Sequence, residues 1–193
     1  MKKSTIVIIA LAILLALWCI SKYNGMVNSD EQVNQSWADV ETQYQRRADL
    51  IPNLVATVKG YAEHEKGTFE AVVEARAKAT SINLTVDDLS DENLAKFQEA
   101  QSQLSSALGR LIAVSENYPE LKASEQFSEL QAQLEGTENR INAARREYNA
   151  VVKDYNVSIR SFPGNILASV FGFMRRPEFK AEAGAETAPK VQF

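Results

Sequence analysis

The chain has 193 residues, 45% of them apolar, and a formal net charge of -4, which leaves room for one globular domain plus an appendage. Its basic residues gather only into pairs, Arg46-Arg47, Arg145-Arg146 and Arg175-Arg176, and this excludes nucleic acid as a partner, because that needs a basic face. The one cysteine, Cys19, rules out an intramolecular disulfide and leaves the redox compartment unread.

Met1 to Lys3 make a short basic start, and no charged residue falls between Ile6 and Ile20. Ser4 to Tyr23 supply the roughly 20 residues needed to cross a ~30 Å hydrocarbon core. The Ile, Leu and Val residues in this stretch favour insertion by about 3 to 6 kcal/mol on the biological scale. Residues 1–23 are therefore expected to be an anchor in the lipid bilayer. No small-x-small pattern follows Ile20, against a cleaved signal, and Trp18 stands where a lipoprotein site before Cys19 needs a small residue. Lys2, Lys3 and the terminal amine outnumber Lys22, so positive charge favours a cytoplasmic N-terminus and a domain outside the cytoplasm. Asn24 and Gly25 are suited to end the anchor helix, which makes 24–29 a linker.

From residue 30 to 165 the pattern is helical. Val33, Trp37, Val40, Tyr44, Arg47, Ile51, Leu54, Val58 and Tyr61 recur three and four apart, with Ser29 or Asp30 as cap. Pro52 removes one backbone donor inside this stripe, so a kink is expected near Ala48 to Pro52 while the stripe continues. Lys66-Gly67-Thr68 is the break before a shorter helix on Phe69, Val72, Val73, Arg76 and Ala79. Residues 81–90 read as a loop. Ser90 or Asp91 then caps a helix on Leu94, Phe97, Gln101, Leu104, Leu108, Leu111 and Val114, which Tyr118-Pro119 ends.

The longest stripe is Phe127, Leu130, Leu134, Thr137, Ile141, Ala144, Tyr148, Val151, Tyr155, Ile159 and Phe162. Its spacing of about 3.5 residues over about five heptads describes a helix in a left-handed bundle, a coiled-coil-like arrangement. The short turn before it makes it antiparallel to its predecessor. The fold class expected is all-α, an antiparallel up-down-up-down four-helix bundle preceded by one transmembrane helix. Residues 166–176 form a short apolar and basic segment, and 177–193 have the composition of a flexible tail.

Chemistry-bearing residues are sparse. His64 is the single histidine, and Thr68 occupies the position where a zinc-protease pattern needs a second one. No nucleophile, base and orienter can be assembled around it, and no phosphate loop exists. No catalytic, cofactor or metal residue is assigned, and the chain is not expected to be an enzyme. The polar residues worth following are structural. Tyr148-Asn149 and Tyr155-Asn156 repeat one heptad apart, each tyrosine on the stripe and each asparagine at its edge. Arg46, Arg47, Asp49, Glu116, Glu138, Arg145 and Arg146 are candidates for ion pairs between helices. Of these, Arg47 lies on the stripe and is expected to seek Glu138 or Glu116.

In a bundle whose first helix leaves the bilayer, the last helix returns toward it. This sets Ile166 to Met174, with Phe171 and Phe173, beside Arg175 and Arg176 at a candidate lipid contact, against plain packing over the bundle end. The end Val191-Gln192-Phe193 is an apolar-x-apolar terminus of the kind a peptide-binding domain captures, giving Val191 and Phe193 as candidate ligand residues.

Several ordered motifs are similar to those of the LemA family: Tyr23-Asn24, Trp37, the run Gln45 to Val55, Gly60 to Glu65, Glu116 to Leu121, Thr137 to Asn149, Tyr155-Asn156, Phe162-Pro163 and Val191 to Phe193. The resemblance implies a single-pass bacterial membrane protein whose four helices have a bromodomain-like arrangement. It implies no reaction. The functional expectation is an interaction or scaffold module in the cell envelope, on the inner membrane, with a protein partner and with self-association open. The alternative is a self-associating, lipid-binding or membrane-shaping protein.

Overall fold

A computed structural model describes residues 3–61 and 65–181, and among them the regular structure is helical without strands. Six α-helices follow in order: α1 (Lys3–Tyr61), α2 (Lys66–Ser81), α3 (Asp91–Val114), α4 (Pro119–Lys122), α5 (Glu125–Arg160) and α6 (Gly164–Phe171).

The first helix overturns one expectation. It runs unbroken for 59 residues, so residues 24–29 are helix rather than linker, and Gly25 ends nothing. Intrahelical bonding outweighs the roughly 1 kcal/mol that glycine costs, because Met26 and Val33, which follow Gly25 on the same helix, are buried against the domain. Pro52 lies inside the same helix. Its missing N–H leaves the Ala48 carbonyl without its intrahelical donor. The Arg76 Nε, arriving from α2, donates to that carbonyl at 2.8 Å, so a neighbouring helix completes the ladder that the proline opens.

The remaining boundaries follow local chemistry. Ser90 caps α3 by accepting from the Asn93 N–H at 3.1 Å, and Ser124 caps α5 from Phe127. Pro119 stands at the start of α4, where its lost donor is harmless. Gly172, with φ +79°, closes α6 in the left-handed region that favours glycine. Between α2 and α3, residues 82–90 hold a single 3-10 turn, Val86–Asp88, with Thr85 and Asp88 capping each other. The Thr85 hydroxyl and backbone donors hold the Asp88 carboxyl below its ordinary range.

Packing divides the core in two. One apolar cluster joins Ile51, Leu54 and Val58 of α1 to Phe69 and Val72 of α2, Leu104 and Leu111 of α3, and Phe127 and Leu134 of α5. The other joins Val33, Trp37 and Tyr44 of α1 to Phe97 of α3, Tyr148 and Tyr155 of α5, Ala168 of α6 and Phe179. The α5 stripe departs from the expected residues at one position past Tyr148: Val152 is fully buried and Val151 only partly so, while Tyr155 and Ile159 are buried as expected. Phe162, expected to be the last stripe residue, lies beyond the end of α5 and is 82% exposed.

Candidate functional site

Three arrangements gather the residues singled out from the sequence. The first sits between the two apolar clusters. Arg47, 2% exposed, donates through one terminal nitrogen to Glu138 Oε2 at 2.9 Å and to the Ser105 hydroxyl at 2.8 Å. Its other terminal nitrogen donates to Gln101 Oε1 at 2.5 Å. The guanidinium carbon also lies 5.1 Å from the centre of the Tyr44 ring. Gln101 in turn donates to the Ala79 carbonyl of α2 at 3.4 Å. Buried Thr137 flanks this layer, its hydroxyl turned back to Gln133 O at 2.7 Å. Four helices thus meet at one polar level, and a misregistered helix would strand these groups without partners. Glu116, the other expected partner of Arg47, is exposed elsewhere, as are Arg46, Asp49 and Arg146.

The second arrangement is a strap. Residues 173–181, part of which was expected to be a flexible tail, run extended along α5. The Tyr155 hydroxyl donates to Met174 O at 3.0 Å, and Tyr148 donates to Pro177 O at 3.1 Å. Each asparagine clamps one strap residue through both of its backbone groups. Asn156 donates to Arg176 O at 2.9 Å and accepts from Arg176 N at 3.0 Å. Asn149 does the same to Phe179, at 2.9 Å both ways. The geometry is commensurate: seven helical residues advance about 10.5 Å, and three residues of extended chain advance about 10 Å. The Tyr-Asn heptad repeat therefore meets a three-residue repeat in the strap.

Two side chains anchor the strap laterally. Phe179, 7% exposed, stacks on Trp37 at 6.0 Å and meets Tyr148 edge-on at 5.4 Å. The Arg145 guanidinium lies 4.8 Å from the Phe179 ring centre and donates to Lys180 O at 3.3 Å. Gln98 of α3 donates to the same carbonyl at 3.0 Å. Arg176 turns inward, against the expectation of a lipid contact. It pairs with Asp30 at 3.2 Å and Asp87 at 3.4 Å and donates to Val86 O at 2.8 Å. Burial works against its charge, but Asp30, Tyr155 and Asp87 together outweigh burial and hold the guanidinium above its ordinary range. Trp37 completes the tie by donating to Leu84 O at 2.9 Å. Burial also pushes the Tyr148 phenol up, and that of Tyr155 up to about 12.

The third arrangement is the lower end of the domain, where Tyr23 of α1 meets Phe171 at 4.8 Å and Phe173 at 5.8 Å between ring centres. Phe171 is exposed and Phe173 partly covered, while Arg175 reaches Asp91 of α3 at 3.5 Å. His64, Val191 and Phe193 lie outside the described residues.

Sequence reasoning missed Arg76, Asp30, Gln98 and Phe179 as partners. A usable signal existed for the last, a lone aromatic three residues after an arginine, matching the heptad step of the Tyr-Asn pairs. Arg76 showed only as an arginine on an apolar stripe, one helix away from a proline.

Magnetosome protein MamQ 1 of Paramagnetospirillum magneticum is 28% identical, over 87% of this chain and 68% of that protein. Magnetosome protein MamQ of Magnetospirillum gryphiswaldense is similar to the same extent. Protein LemA of Metamycoplasma hominis is 25% identical, over 77% of this chain and 64% of that one. The apolar N-terminal third of α1, whose large side chains face outward from Ile6 to Leu17, is long and apolar enough to cross a membrane and marks this as a membrane-associated protein. The sequence pattern of the LemA family matches residues 36–193, from the buried turn of α1 that carries Trp37 through the strap that Trp37 covers, and on that match the chain belongs to the LemA family.

Proposed function

We propose that this protein is a membrane-anchored interaction scaffold without catalytic activity, built as an up-down-up-down four-helix bundle on a single-pass anchor in the inner membrane. The N-terminus lies in the cytoplasm and the domain stands outside it in the envelope. One observation carries the reading: α1 runs as one helix from the apolar segment into the domain core. From Ser21 to Tyr61 it rises about 60 Å at 1.5 Å per residue, so whatever binds the domain is held at a set height and angle above the bilayer.

A shallow trough of about 830 Å³ between α2 and α3, bordered by Ala71, Glu74, Lys78, Gln103 and Arg110, is a suitable face for a protein partner. In-membrane crosslinking of the full-length chain, followed by mass spectrometry, tests the proposal. A reproducible envelope protein crosslinked to α2 or α3 is expected. Recovery of only the chain itself and lipid overturns the scaffold reading in favour of a self-associating, membrane-shaping role.

A further inference from the structure

The outer face of α6 is apolar and bare. Ile166, Val170 and Phe171, with Phe162 and Met174 flanking them, are 56, 72, 55, 82 and 72% exposed. The inner face is tightly fitted. Gly164 and Ala168 are buried, and a Cβ on Gly164 would come within 3.0 Å of both Met26 Cε and the Ser158 carbonyl. A contiguous uncovered apolar surface marks an interaction site, and its position identifies the partner.

Tyr23, which touches Phe171 and Phe173, and Met26, which meets Gly164, follow closely on Ile20, where the apolar run ends. They stand about 4.5 and 9 Å further along the helix axis. The headgroup layer is about 5 to 7 Å thick on each side of the hydrocarbon. Tyr23 falls within that layer and Met26 just beyond it, so the Phe171 end of α6 is level with the headgroups. Leu17, Ile20, Tyr23 and Val27 of α1 are exposed, and Tyr23, packed on Phe171, joins the apolar surface of α1 to that of α6. An eight-residue helix is too short to cross a bilayer and suited to lie in its surface.

We propose that α6, with Phe162 and Met174, is a second membrane contact: an interfacial foot that inserts at the boundary of headgroups and acyl chains beside α1. It rests on the reading that residues 4–23 cross the bilayer. Two attachments instead of one restrict the domain from tilting about its single anchor. Phe162 is bare because α5 ends before it and the chain turns along the lipid. Gly172 then releases the chain upward into the strap, away from the membrane.

The test uses the full chain with Cys19→Ser, carrying one environment-sensitive fluorophore at a time through Leu14→Cys, Val170→Cys or Val73→Cys. The proteins are reconstituted in phosphatidylcholine-phosphatidylglycerol vesicles with nitroxide-bearing lipids. Val73 is 55% exposed on α2 and serves as the solvent reference. The expected result is blue-shifted emission and lipid-borne quenching at both 14 and 170, with aqueous iodide quenching confined to 73. Adding Val170→Asp to a chain labelled through Ile166→Cys is expected to abolish lipid quenching at 166 while the helical circular dichroism stays unchanged. Lipid quenching at 14 but not at 170 overturns the foot alone, and its absence at 14 overturns the anchor reading itself. A label at 170 shielded from both quenchers shows a protein covering the face, a second copy or another partner, and also overturns the foot.

Discussion

Arg47 and Arg76 show how much one guanidinium contributes when its acceptors come from other helices. Replacing Arg47 with Met strips Gln101, 7% exposed, of its charged partner, while Glu138, whose side chain is 45% exposed, recovers solvent. An unsatisfied buried amide costs about 1 to 3 kcal/mol, so thermal unfolding in detergent is expected to fall by about 2 to 12 °C. Adding Gln101→Leu should restore much of that loss, because a polar layer replaced as a whole is often neutral. Arg76 supports a coupling test. Arg76→Met alone leaves the Ala48 carbonyl bare beside Pro52, at about 1 to 3 kcal/mol. On a Pro52→Ala background the restored N–H takes over, so the same substitution should cost markedly less, and denaturant midpoints of the four variants measure the difference. Arg47 was legible from the sequence because an arginine interrupted an apolar stripe. The role of Arg76 was not, since nothing local pairs it with a proline 24 positions earlier.

At the scale of elements, the strap depends on side-chain amides standing in for a neighbouring strand. Asn149→Ala removes both bonds to Phe179, leaving buried backbone groups unpaired at about 1 to 3 kcal/mol. Amide exchange at Phe179 should accelerate while Arg176, clamped by Asn156, stays protected. The tyrosines add a pH dependence. Burial raises the Tyr155 pKa to about 12 and that of Tyr148 as well, from an ordinary 10. A raised folded pKa means that their contribution is fully present below pH 10 and is lost as pH climbs from 10 through 12. In a spectrophotometric titration Tyr148 and Tyr155 should ionise late, together with release of the strap, and Tyr155→Phe should remove one of these late steps. The Tyr-Asn repeat was visible in the sequence as a seam device. Its ligand was not, because Pro177 to Ala181 have the composition of solvated chain and become ordered only against α5 and Trp37.

For the whole molecule, the continuity of α1 decides how the domain stands on the bilayer. If Gly25 were a hinge, stiffening it would disturb the protein. In the structure it is an exposed mid-helix position where a Cβ meets nothing within 4 Å, so Gly25→Ala should stabilise the protein by about 0.5 to 1 kcal/mol. An unfolding temperature raised by about 1 to 4 °C in detergent, with partner crosslinking unchanged, is the expected outcome. A fall in either would restore the linker between anchor and domain.

The sequence by itself determined the helical class, the long apolar N-terminal segment, the cap at Ser90, the end of α3 before Pro119 and most of the buried stripes, because each of these arises from contacts within a few residues or from the period of the apolar pattern. Only the tertiary structure decided that α1 passes through Asn24-Gly25, that Arg76 completes the ladder opened at Pro52, that Arg176 faces inward to Asp30, and that Phe179 packs on Trp37. Those outcomes turn on groups from 28 to 146 positions apart, where a partner on another element repairs a break or orders a polar segment. A local pattern carries no record of which distant group will arrive.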